Sequence, residues 1–178
     1  MKAGKKPLDP VVKVGLGVMF GAFCLIGFGM FLSRPDRTIP PYSIGAQEGT
    51  VVAVHIPPWT SDPEIESLIR RFGDVGRTTK DFGPLKIRPT TPQHPQGRYQ
   101  QLFLLIFSDH TWAEPNKLHR YLAEKASRPT DPFLTEFEEA LRGGYRLDRN
   151  GQAGWLGAFT GLEGAEAAYT VQWVFKEP

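Results

Sequence analysis

The chain has 178 residues, a formal charge of +2 and a single cysteine. That length holds one globular domain plus a short extra element, and the lone thiol excludes intramolecular disulfides, cysteine-based zinc sites and haem attachment through C-x-x-C-H. Lys2, Lys5, Lys6 and Lys13 meet only Asp9 near the N-terminus; removing them from totals of 21 basic and 19 acidic residues leaves 17 and 18 over 34–178. A body so near neutral argues against nucleic acid as a partner, because a polyanion demands a basic face.

Residues 14–32 carry no charge. As a helix they extend about 28 Å, near the hydrocarbon thickness of a bilayer, which predicts a transmembrane helix. The run is longer than a secretory h-region and ends FLSRPDR, a poor cleavage site, so the expectation is an uncleaved signal-anchor. Four lysines precede it, while Arg34 and Arg37 follow. The positive-inside rule then places 1–13 in the cytoplasm and the remainder on the periplasmic or extracellular side. Gly17 and Gly21 form a G-x-x-x-G pair, followed by Gly27 and Gly29; small residues let another helix approach closely. With no His, Asp or Glu, the segment offers no haem ligand and no proton relay.

Residues 33–49 hold three prolines and no apolar period, the marks of an extended linker, and the domain is expected over 50–178. TVVAVHIPP, 50–58, reads as a strand. In WTSDPEIESLIRRFG, Asp62-Pro63 suits a helix start. Ile65, Leu68, Ile69 and Phe72 form one apolar stripe, and Gly73 suits a stop. A short strand is expected at 85–88, then a proline-rich excursion over 90–101. Leu102–Phe107 is six apolar residues in a row, the most buried strand. A second helix is expected over 114–126 with Leu118, Tyr121 and Leu122 inward. A third is expected over 131–144 with Phe133, Phe137, Ala140 and Leu141 inward. Strands follow at 154–161 and at 168–175, where Tyr169, Val171, Trp173 and Phe175 alternate. This order predicts an α+β fold: one transmembrane helix, then a ferredoxin-like antiparallel sheet with two to three helices on one face.

Residues 51–76, VVAVHIPPWTSDPEIESLIRRFGDVG, resemble the opening of an RNA-recognition-motif domain, with the helix closing on Phe72-Gly73-Asp74-Val75 and QQLFLLIF in place of the second signature strand. The resemblance spans 51–107 and implies the ferredoxin-like layout. Positions where that family stacks bases hold Val52, Gln100, Gln101, Leu102 and Leu104. Without aromatic platforms, single-stranded bases have nothing to stack on.

No motif for catalysis, a cofactor or a phosphate appears. Of the four histidines, His55 and His110 meet Asp109 if their strands are neighbours, which sets a polar or metal-binding site against plain turn capping by Asp109. Trp59, Trp112 and Trp155 sit in loop or glycine-rich sequence and are candidate interface anchors, with ordinary core packing as the alternative. The function expected is a non-catalytic accessory subunit of a larger integral membrane complex, of respiratory or photosynthetic type. It would carry no cofactor and have other membrane subunits and the lipid bilayer as partners. The alternative is a stand-alone membrane-anchored domain that binds a ligand or an envelope component.

Overall fold

The computed structural model describes residues 10–32, 39–88, 98–158 and 171–177. The chain divides into two units, Met1–Arg37 and Thr38–Pro178. In the first, the apolar stretch forms helix α1 (Pro10–Leu32). The expected membrane span at 14–32 is corrected, because among the described residues no helix is long and apolar enough to cross a membrane. The single-pass signal-anchor, the membrane location and the cytoplasmic and exoplasmic sides assigned from it fall with the span.

The second unit is α+β, with a six-stranded mixed sheet in sequential order, β1 to β6. The strands are β1 (Ser43–Glu48), β2 (Val51–His55), β3 (Leu102–Phe107), β4 (Leu141–Asp148), β5 (Gly151–Leu156) and β6 (Gln172–Glu177); the helices are α2 (Asp62–Thr78), α3 (Pro115–Ser127) and α4 (Pro132–Glu139). Strand β1 occupies sequence read as linker.

The ferredoxin-like antiparallel sheet with helices on one face is also corrected. Strands β2 and β3 run parallel, with Val52 opposite Leu104, and α2 makes the crossover. A ferredoxin-like unit splits this crossover with a further strand. Here the segment expected to supply it makes a 3-10 turn, Gly83–Leu85, closed by Lys86 at φ 66°. With no strand inserted, β2 and β3 pair directly, and the layout implied by the RNA-recognition-motif resemblance is not formed.

Helices cover both faces. Val52, Val54, Leu104 and Ile106 pack with Ile65, Leu68, Ile69 and Phe72 of α2. The alternate residues Val51, Ala53, Leu105 and Phe107 pack with Leu118, Tyr121, Phe133 and Phe137 of α3 and α4. The uninterrupted apolar run of β3 follows from this, since a strand buried on both sides has no polar face.

Local chemistry explains the element ends. Helix α2 starts at Ser61, whose N–H and Oγ–H both donate to the Glu64 carboxylate at 2.8 and 2.7 Å. It continues through Gly73 because that glycine is needed for packing: an added Cβ would meet the Phe175 ring. Helix α4 starts at Asp131, which accepts from the Phe133 N–H at 2.8 Å, as its Asp-Pro pair predicts. It ends at Glu139, sooner than expected, because Leu141 already pairs with Phe107 in the sheet. Gly143 and Gly144 belong to β4, where a Cβ would meet the Trp155 carbonyl and the Trp155 ring respectively.

In β6 the expected alternation breaks where the register shifts between Gly154 and Trp155. Val174 and Phe175 pack on the core, while Trp173 is 39% exposed. Tyr169 lies outside the described residues.

Candidate functional site

The sheet gathers polar side chains at the carboxyl ends of its parallel pair, the end at which open α/β sheets bind ligands. His55 ends β2 opposite Phe107, the end of β3. Asp109 and His110 follow at once, so the parallel register brings the three expected residues together. The His55 and His110 rings lie edge to face with centroids 6.2 Å apart. Asp109 Oδ1 lies 3.7 Å from His110 Nδ1.

Asp109 is committed to its own turn. Its Oδ1 accepts from the N–H and the Oγ1 of Thr111, both at 2.9 Å, which caps the 3-10 turn His110–Ala113. These two hydrogen bonds hold its carboxyl below the usual range, with smaller contributions from His110 and His55. The group is exposed, and among the described residues no set of three or more His, Cys, Asp and Glu is arranged to hold a metal ion. Chemically the arrangement offers imidazole donors and acceptors at a surface.

The same end carries the β2–α2 turn, closed by the Thr60 N–H donating to the Pro57 carbonyl at 3.0 Å. Trp59 stands out from it at 81% exposure. Arg142, at the start of β4, pairs with Asp62 of α2 at 2.7 Å, a link that sequence spacing does not suggest.

The other tryptophans have different surroundings. Trp112 is half-buried against Phe133 and Phe137, with Lys117 Nζ 4.7 Å from its ring centroid. Trp155 is fully buried and meets Trp173 edge to face. Of the three expected anchors, Trp59 alone stands free of the core.

In α1 every described side chain from 14 to 30 is exposed, and a Cβ added at Gly17, Gly21, Gly27 or Gly29 would meet nothing within 4 Å.

A further polar chain was not legible in the sequence. The buried Tyr145 hydroxyl donates to Gln152 Oε1 at 2.9 Å, and Gln152 Nε2 donates to Glu177 at 2.7 Å. Glu177 in turn pairs with Arg77, and Arg77 with Asp74, at 3.1 and 2.7 Å. Its members are scattered from 74 to 177, so no local spacing marks them.

Comparison with known proteins finds no matching family model, no matching curated protein and no matching solved structure.

Proposed function

We propose that the chain is a non-catalytic accessory subunit of a larger complex and acts through protein–protein contact. The observation that carries this reading is α1. Its apolar side chains point outward all round, Val14, Phe20, Leu25 and Met30 among them. A helix with apolar side chains on every face is stable when surrounded by apolar neighbours, and water does not supply them. The open glycines let a partner's backbone come close. Trp59 adds an amphipathic anchor on the second unit, of the residue type that dominates interface energetics.

Co-purification of the tagged full-length protein from its native source tests the reading. Stoichiometric partners are expected, and a chain without 10–32 should lose them. Migration of the native protein alone, at the mass of one chain, overturns it. Replacing Gly17 and Gly21 together with leucine should weaken partner recovery; unchanged recovery shows that close approach at those glycines plays no part.

A further inference from the structure

Strand β1 ends the sheet, so alternate residues turn their N–H and C=O groups away from β2. A groove of about 570 Å³ opens beside it, lined by Ser43, Ile44, Gln47, Gly83, Lys86 and Arg88. The 83–88 wall is tied to this side of the sheet. Tyr42 donates to the Leu85 carbonyl at 3.0 Å, and Gln47 Nε2 and the Tyr99 hydroxyl both donate to the Arg88 carbonyl, at 2.6 and 2.7 Å.

Two cations stand in this wall. Lys86 donates to the Tyr42 carbonyl at 3.2 Å and lies over its ring at 4.9 Å. Both Lys86 and Arg88 are exposed. Among the described residues, no carboxylate pairs with either. The opposite edge of the sheet differs: in β6, Glu177 pairs with Arg77 and Lys176 lies over Trp173.

We propose that β1 accepts an extended acidic segment of a partner protein as an added strand, with its carboxylates held by Lys86 and Arg88. Main-chain pairing to an open edge supplies affinity in this mode, and side chains beside the edge supply selectivity. Two cations without a carboxylate partner among the described residues select for negative charge, and each gains a charge-assisted hydrogen bond. The proposal goes beyond the accessory-subunit reading, which rests on α1, and stands if α1 has no partner.

The test uses the full-length protein and a capped hexapeptide alternating glutamate and valine, followed by fluorescence anisotropy and by amide shifts in NMR. Binding is expected, with shifts centred on 43–47, and raised salt should weaken it. A lysine–valine hexapeptide should bind about tenfold more weakly or not at all. A glutamate–proline hexapeptide keeps the charge but has no proline N–H to pair; it should lose binding to a similar degree. Arg88→Glu should weaken the acidic peptide by about tenfold, and Lys86→Gln by less. Both side chains are exposed, and unchanged circular dichroism identifies folded variants. No binding of the glutamate–valine peptide overturns the proposal, as do equal binding of the glutamate–proline peptide, unchanged affinity in both folded variants, or shifts centred on β6.

Discussion

Gly76 of α2 lies directly against the hydroxyl of Tyr145 in β4, so close that a Cβ at position 76 would overlap that oxygen. The hydroxyl has no free direction in which to yield. It is buried and already bonded to Gln152, and its ring stacks on Phe72 with centroids 6.3 Å apart.

Gly76→Ala should therefore destabilise the protein by about 1–3 kcal/mol through overpacking, despite the gain of about 1 kcal/mol that alanine brings to an open helix site. Urea unfolding measures it. Adding Tyr145→Phe removes the overlapping oxygen, and the double variant should lose less than the two single losses combined. A stabilised Gly76→Ala protein would contradict the close packing. Gly73→Ala should cost less, because its obstacle is the partly buried ring of Phe175 on an end strand.

Tyr145 also sets an alkaline limit. Burial, and then the charge of Glu177, raise its pKa above the ordinary 10.0. The folded state holds this proton more tightly than the unfolded chain does. The contribution is therefore complete below pH 10.0 and is lost as pH climbs from there toward the folded value. Denaturation midpoints measured upward from pH 9 should fall more steeply for the wild type than for Tyr145→Phe. Parallel curves would rule out the tyrosine as the source.

The tryptophans should separate cleanly. Trp155 is fully buried and Trp59 is 81% exposed. Trp155→Ala should cost about 3–5 kcal/mol, and Trp59→Ala should change stability by no more than about 0.5 kcal/mol. Fluorescence offers a second check: an aqueous quencher should act on Trp59 and leave Trp155 untouched.

The Asp131 cap of α4 should be worth about 1 kcal/mol, so Asp131→Ala should lower the thermal midpoint and Asp131→Ser should restore most of it. Asp131 also lies 3.8 Å from Arg120. An Arg120→Ala control separates the ion pair from the cap; an equal loss in both alanine variants would assign the effect to the pair.

Short-range order was legible because its causes are short-range. The β3 run, the apolar stripe of α2 and the Asp-Pro start of α4 each depend on residues within a turn or two of one another. Glycine misled where its role was a contact. Gly73 reads as a stop and Gly143-Gly144 as the end of a helix, yet Gly73 and Gly144 make room for the rings of Phe175 and Trp155, and Gly143 for the Trp155 carbonyl. At the candidate site, the closeness of His55 to Asp109 and His110 was legible as a condition on strand pairing. The Arg142–Asp62 link and the exposure of Trp59 were not, because pairing and burial depend on the whole sheet.

By itself the sequence determined an apolar N-terminal helix, a near-neutral α+β domain, its most buried strand and the absence of any disulfide. Tertiary structure decided that β2 and β3 lie parallel, that helices cover both faces, and which tryptophan faces water. The reason is one of range. Hydrophobic period and capping act within a few residues and are written in their order, whereas register, parallel pairing and close glycine contacts join segments that are separate in the sequence. A turn at Lys86 stands where a short strand was expected at 85–88, and β2 and β3 pair directly.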